Sequence, residues 1–125
     1  MKAVLMRVQR ASVTIDERET RSIGMGFLIL LAVTHDDTEA QAVKLADKLS
    51  LRLFEDADGK INLTLDEVGG EIMIVSQFTL YGNCRKGRRP EFLNAARPET
   101  AIPLYEKFVS LVRAKGYHVE TGDVG

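Results

Sequence analysis

The chain has 125 residues, of which 45% are hydrophobic and 28% charged, and its formal net charge is −1 at pH 7. This length predicts a single domain, residues 1–125, with a substantial core, and the near-neutral charge excludes a uniformly basic nucleic-acid-binding protein. The single cysteine excludes an internal disulfide framework and favours a reducing compartment. We expect no signal peptide and no membrane-spanning segment, because apolar residues alternate after Lys2 and no long apolar run follows.

The pattern of apolar residues predicts many short strands. Residues 1–15 predict one long strand or two consecutive strands, and residues 20–23 predict a short strand. Residues 27–33 are continuously apolar, which predicts a central strand covered on both faces. Turn signals at residues 55–60 and 66–70 separate the strands that follow.

Two helices are predicted from apolar spacing. Thr38 and Gln41 have the spacing of a capping box at the start of a helix over residues 38–51, and a second helix covers residues 99–115. Their predicted buried stripes are Ala42, Leu45, Ala46, Leu49 and Leu53 in the first, and Ile102, Tyr105, Val109 and Val112 in the second. With a last strand at residues 117–120, the order predicts an α+β fold, a mostly antiparallel sheet or partial barrel with both helices on one side.

The most informative stretch is residues 71–92. It begins apolar, becomes polar at Ser76 and Gln77, and we expect the strand to continue through residue 80, with Gln77 and Thr79 on the face opposite Ser76 and Phe78. A dense group of cations follows, Arg85, Lys86, Arg88 and Arg89. This basic loop indicates either a solvated surface or phosphate contact with stacking by the flanking aromatic residues Tyr81 and Phe92.

Other motifs point to no cofactor and no metal ion. Gly24-Met25-Gly26 is followed by a strand rather than a helix, and a calcium-like loop at residues 54–65 lacks both key carboxylates. Residues 82–89 lack the Lys-Ser/Thr pair of a phosphate-binding loop. One cysteine and two widely separated histidines make no zinc motif. By spacing alone, the hydroxyls of Ser76 and Thr79 have no neighbouring base and are predicted to be structural.

The segments Ser76-Gln77-Phe78-Thr79-Leu80 and Arg85-Lys86-Gly87-Arg88-Arg89-Pro90 resemble the signature of the D-aminoacyl-tRNA deacylase family. Further matches at residues 7–13, 51–63, 69–71 and 121–122 extend the resemblance over essentially the whole chain. It implies a homodimeric, barrel-like, cytoplasmic enzyme that hydrolyses the ester between a D-amino acid, or glycine on tRNA(Ala), and the terminal ribose of tRNA.

The resemblance also implies which residues form the site. Ser76, Gln77, Phe78 and Thr79 would form the catalytic segment, in which backbone N–H groups stabilise the oxyanion. The substrate would be bound by Arg7, Arg85, Lys86, Arg88, Arg89 and Phe92. Either the Thr79 hydroxyl attacks, or the 2′-hydroxyl of the substrate directs a water molecule; we favour the second, because Thr79 has no visible base.

The chain departs from the family pattern at two places. Met6 stands where the family has Gln before Arg7, and no Gly-Pro pair occurs, since the three prolines follow Arg89, Arg97 and Ile102. In the family, a further strand carries a Gly-Pro motif with a cis peptide that excludes L-amino acids, so we expect weakened chiral discrimination. Two alternatives stay open, a non-catalytic RNA-binding module and a protein-interaction domain with a solvated basic loop.

Overall fold

A computed structural model describes residues 1–122. In this part of the chain the strands are β1 Lys2–Val8, β2 Ala11–Ile15, β3 Glu19–Ile23, β4 Gly26–Ala32, β5 Phe54–Glu55, β6 Ile61–Leu63, β7 Glu71–Ser76 and β8 Val119–Thr121. The helices are α1 Glu39–Asp47, α2 Leu65–Val68 and α3 Pro98–Ala114, with 3₁₀ helices at Lys48–Ser50 and Phe78–Tyr81. None of the helices within residues 1–122 is long and apolar enough to cross a membrane.

The central sheet has four strands in the order β1-β4-β7-β8. β1 is antiparallel to β4, whereas β4 pairs with β7, and β7 with β8, in parallel. The prediction of a mostly antiparallel sheet is therefore wrong for this sheet, because two long crossovers, which carry α1 and α3, return the chain in the same direction. The antiparallel hairpins β2-β3 and β5-β6 form separate two-stranded sheets, and no closed barrel is formed by the described residues.

One face of the central sheet carries the core. Phe27, Ile29 and Leu31 of β4 and Ile72 and Ile74 of β7 are fully or almost fully buried. The same core cluster contains residues of both long helices, which confirms that α1 and α3 pack on one side of the sheet. Burial of these apolar side chains is the main favourable contribution to folding.

The helix boundaries follow their capping residues. The predicted capping box of Thr38 and Gln41 begins α1. The expected turn at residues 66–70 is wrong in part, because a second capping box, Thr64 with Glu67, forms the short helix α2. Gly69 ends this helix with a φ of 66°, a conformation that glycine adopts without strain.

Helix α3 is anchored to β7 by a buried tyrosine. The predicted stripe omitted Leu104 and Phe108, which are also buried on this helix. The hydroxyl of Tyr105 donates a 2.8 Å hydrogen bond to the Ile74 carbonyl, and burial raises the pKa of Tyr105 to about 12. Helix α3 thereby holds β7 two residues before the strand ends.

The second face of the sheet is only partly covered, contrary to the expectation for residues 27–33. The antiparallel register places Val4 opposite Leu30 and Met6 opposite Leu28, and the parallel register places Val75 beside Leu30. Val4 and Met6 are exposed, and Leu28, Leu30 and Val75 are intermediate. The described chain therefore has an apolar sheet face, defined by these five residues, that lacks a full cover.

A part-buried ion pair connects the amino terminus to the loop after β4. The Met1 ammonium lies 2.7 Å from the Asp37 carboxylate, and the two side chains are 1% and 6% exposed. Asp37 also accepts a 2.9 Å hydrogen bond from the Thr34 N–H. The Thr34 hydroxyl donates in turn to the Asn94 carbonyl, so this loop fixes the segment that follows the basic loop.

Asp37→Ala should lower the free energy of unfolding by about 2 kcal/mol, because it leaves the part-buried ammonium without its partner. The measurement is urea denaturation, with Asp36→Ala as the matched control, since Asp36 is the exposed neighbour in the same loop. Equal stability of the two variants would contradict the importance of this ion pair.

Candidate active site

Strand β7 ends at Ser76, so the prediction that it continues through residue 80 is wrong. The Gln77 N–H donates a 2.8 Å hydrogen bond to the Leu31 carbonyl, close to the end of β4. Beyond it, the Val33 carbonyl accepts a 2.8 Å hydrogen bond from the Ala96 N–H and not from the segment that follows β7. Gln77 (φ −145°, ψ 84°) redirects the chain, and Phe78–Tyr81 form a 3₁₀ helix.

This turn leaves two successive backbone N–H groups without an acceptor. Its first internal hydrogen bonds are donated by Leu80 to Gln77 (3.2 Å) and by Gly82 to Thr79 (2.9 Å). The N–H groups of Phe78 and Thr79 come before these donors and have no acceptor within residues 1–122. Both residues are exposed, and the Gln77 side-chain amide donates a hydrogen bond to the Thr79 hydroxyl.

Phe92 packs against this turn. The rings of Phe78 and Phe92 meet edge to face, with centroids 5.3 Å apart and an interplanar angle of 72°. A Cβ atom on Gly82 would lie 3.0 Å from the Phe92 ring, so glycine permits this close approach. The structure thus brings Phe92 to the catalytic segment that the family resemblance implies.

The basic loop is closed next to the same turn. Asn83 and Glu91 exchange two backbone hydrogen bonds of 2.8 and 2.9 Å, and Gly87 turns the loop with a φ of 66°. The cations of the loop are all exposed, namely Arg85, Lys86, Arg88 and Arg89. Three residues, Leu80, Tyr81 and Gly82, separate Thr79 from Asn83, so the cationic loop directly follows the turn that carries the unpaired N–H groups.

Arg7 is not brought to this end of the sheet. It pairs with Phe27 in β4, whereas Ser76 pairs with Leu31, a separation of roughly 13 Å along the strands. The Arg7 guanidinium instead donates a 3.1 Å hydrogen bond to the Leu53 carbonyl and lies 4.0 Å from Glu55. Within one chain, Arg7 therefore cannot contact an ester held at residues 77–79.

Sequence patterns missed Lys2 as a neighbour of the site. Its ammonium donates a 3.2 Å hydrogen bond to the Leu80 carbonyl and lies 4.5 Å from the centroid of the Tyr81 ring. This position follows from the register of β1 against β4, in which Lys2 is opposite Ala32. Such a long-range pairing leaves no local signal in the sequence.

The remaining candidate groups have ordinary structural partners. Asp56 accepts hydrogen bonds from the N–H groups of Lys60 and Asp58, and these bonds, the one from Lys60 above all, lower the pKa of Asp56. His35 bonds to the Leu93 carbonyl at 2.6 Å. Across residues 1–122, no group of three His, Cys, Asp or Glu side chains has the arrangement of a metal site.

Comparisons with known proteins identify the family. A "D-aminoacyl-tRNA deacylase" of Thermus aquaticus is 53% identical over 100% of this chain and 83% of its own length. An "Inactive D-aminoacyl-tRNA deacylase" of Bacillus subtilis is 55% identical over 88% of this chain and 84% of its own length. The solved structure of "c-Myc DNA Unwinding Element Binding Protein" superposes with a TM-score of 0.88 at 39% identity, covering 100% of this chain and 86% of that one. The family model for D-Tyr-tRNA(Tyr) deacylase matches residues 4–125, and this chain belongs to that family.

Proposed function

We propose that this protein hydrolyses the ester bond of D-aminoacyl-tRNA and releases the free D-amino acid and the tRNA. The observation that carries the proposal is the pair of unpaired, exposed N–H groups of Phe78 and Thr79 beside a cationic loop. Family membership supports the same reaction. The proposal includes glycine on tRNA(Ala) as a second substrate and a cytoplasmic location, with which a single exposed cysteine agrees.

The chemistry requires little acid–base assistance. An aminoacyl ester is already activated, so the slow step is the attack of water on the carbonyl carbon, which develops negative charge on the carbonyl oxygen. The N–H groups of Phe78 and Thr79 would donate to that oxygen, and donors fixed before the reaction stabilise the transition state at no cost of reorganisation. The intermediate then restores the carbonyl by breaking its bond to the ribose oxygen, which takes up, through solvent, the proton that the attacking water gives up.

The attacking group is best assigned to water. The Thr79 hydroxyl accepts a hydrogen bond from Gln77, and no histidine or carboxylate among the described residues contacts it. A threonine nucleophile needs an adjacent base. We therefore propose that the 2′-hydroxyl of the terminal ribose positions the water, while Gln77 and Thr79 shape the turn.

The exposed cations of the basic loop would bind phosphates of the acceptor end. Contacts of this kind do not read base sequence, and they weaken as the salt concentration rises. Phe92 lies between this loop and the turn, where its ring supports Phe78. A non-catalytic tRNA-binding protein, the second candidate function, would use the loop in the same way.

A non-catalytic tRNA-binding protein is the second candidate. The relative from Bacillus subtilis that is named inactive shares 55% identity with this chain. Relatives at this level of identity therefore include both a protein named as a deacylase and one named as inactive. Turnover of D-Tyr-tRNA(Tyr), compared with L-Tyr-tRNA(Tyr) under the same conditions, separates the two functions. Release of D-tyrosine at the rate of a blank without protein would favour the binding module.

We further propose that two copies pair through the apolar sheet face of Val4, Met6, Leu28, Leu30 and Val75. An apolar sheet surface that is only partly covered within residues 1–122 favours association. A two-fold axis that crosses the strands would bring Arg7 of one chain towards residues 76–79 of the other. That arrangement would retain the substrate-binding role expected of Arg7.

Phe78→Pro tests the N–H groups directly, because it removes the Phe78 donor. Phe78→Ala is the matched control: it loses the same ring but keeps the N–H group. We expect Phe78→Ala to cost a small factor in kcat for D-Tyr-tRNA(Tyr), and Phe78→Pro to cost about 10²-fold to 10³-fold more. Equal kcat values for the two folded variants would contradict the oxyanion assignment.

Thr79→Val distinguishes the two nucleophiles, since it keeps the backbone N–H group and removes the hydroxyl. With water as the nucleophile, kcat should stay within about tenfold of the parent value, whereas loss of a true nucleophile costs on the order of 10⁴-fold or more. The complementary substrate is D-Tyr-tRNA with a terminal 2′-deoxyribose, which should react far more slowly. Normal turnover of that substrate, together with an inactive Thr79→Val, would favour attack by threonine.

Met6→Glu should convert the dimer into a monomer, because it places a charge in the proposed interface. Val43→Glu is the control. Val43 is 42% exposed on α1 and Met6 is 38% exposed on β1, so both substitutions introduce a negative charge at a similarly exposed position. Light scattering during gel filtration measures the mass. A parent protein that is monomeric, or a Met6→Glu variant that stays dimeric, would exclude this interface.

A further inference from the structure

A cationic cavity lies beside the turn at Phe78–Tyr81, and its residues come from three separate parts of the sequence. Its volume is ≈ 380 Å³, within the range of small-ligand sites. Lys2 comes from β1, Tyr81 and Gly82 follow β7, and Arg85 and Asn94 come from the two sides of the basic loop. The cavity therefore forms only when the sheet, the turn and the loop are assembled.

The lining suits an anion. Lys2 and Arg85 contribute two positive charges, the amides of Asn83 and Asn94 add possible donors, and no carboxylate is among the lining residues. The Lys2 ammonium has three donors, of which one bonds to the Leu80 carbonyl. The others are available to an oxygen atom in the cavity, while the cation stays in place over the Tyr81 ring.

A neighbouring cavity is less suited to a phosphate. It measures ≈ 340 Å³ and shares Asn83 and Arg85 with the first, and it is also lined by the cation Lys86 and the carboxylate Glu91. The negative charge of that carboxylate opposes an anionic ligand. Arg85 stands between the two cavities, so a polynucleotide that passes from the basic loop to the turn meets the Lys2 cavity last.

We propose that Lys2 and Arg85 bind the backbone phosphate that precedes the terminal nucleotide of the tRNA. Leu80 and Tyr81, which contact Lys2, directly follow the N–H groups of Phe78 and Thr79. A phosphate in this cavity would therefore hold the terminal ribose and its ester next to those groups. This inference rests on the proposed function and adds Lys2 to the residues that contact the substrate.

Cys84 provides a local probe that does not depend on turnover. It is the only cysteine of the chain, it is exposed, and it lines the same cavity. Saturating deacylated tRNA should slow its alkylation by iodoacetamide several-fold. The same tRNA without its single-stranded 3′ end should protect Cys84 much less, since it retains the duplex phosphates but cannot fill the cavity.

Lys2→Gln tests the residue itself, with Lys60→Gln as the matched control. Lys60 is also exposed, but it lies in the turn of the β5-β6 hairpin, near the end of the sheet that carries Arg7. We expect Lys2→Gln to raise KM for D-Tyr-tRNA about threefold to fivefold with kcat nearly unchanged. The slope of log affinity against log salt for deacylated tRNA should fall in magnitude by ~0.7, and Lys2→Arg should restore both values.

Three results would overturn the inference. Lys2→Gln and Lys60→Gln could behave alike, the shortened tRNA could protect Cys84 as well as the intact one, or Lys2→Gln could lower kcat with the salt slope unchanged. The last result would mean that Lys2 acts only by holding the Leu80 carbonyl. A parent protein that shows the Cys84 protection and the Lys2 salt slope but hydrolyses no ester would support this cavity and contradict the proposed function.

Discussion

The site depends on where the pairing between β4 and β7 stops. The Gln77 N–H bonds to the Leu31 carbonyl, whereas the Val33 carbonyl, two residues further on, accepts from the Ala96 N–H instead. A backbone that loses its strand partner must satisfy its polar groups elsewhere, and the chain does so by forming the 3₁₀ helix Phe78–Tyr81. The first N–H groups of that helix remain unpaired and exposed, which is the condition for binding an oxyanion.

Three distant contacts fix the position of this turn. Tyr105 bonds to the Ile74 carbonyl from the core side, Lys2 bonds to the Leu80 carbonyl from β1, and Phe92 packs on Phe78 from the segment after the basic loop. The loop after β4 fixes that segment through Thr34, which is itself oriented by Asp37. A short turn with little burial of its own is thereby held by the core, the first strand and the amino terminus.

Local patterns were sufficient for some elements and insufficient for others. The α1 capping box and part of the buried stripe of each long helix could be predicted, because side-chain spacing along one helix determines them. The stripes were wrong in part, since Leu104 and Phe108 are buried and Leu45 and Ile102 are only half-buried. The 3₁₀ helix could not, since the alternation of Gln77, Phe78 and Thr79 is equally typical of a strand. The parallel pairing of β4 with β7 and the position of Lys2 depend on contacts between residues far apart in sequence. The family signature predicted which residues lie near the turn. Arg7, however, lies at the other end of the sheet, and the spacing of residues in the sequence does not predict that position.

The most direct test of the central claim is the NMR amide spectrum of ¹⁵N-labelled protein with a phosphonate analogue of D-tyrosyl-adenosine, whose charged oxygen imitates the oxyanion. If that oxygen is held by the turn, the amide protons of Phe78 and Thr79 should move downfield more than any others and become protected from exchange with solvent. If the analogue binds while these two signals stay unchanged and other amides shift instead, the oxyanion is stabilised elsewhere and the role assigned to the turn is wrong.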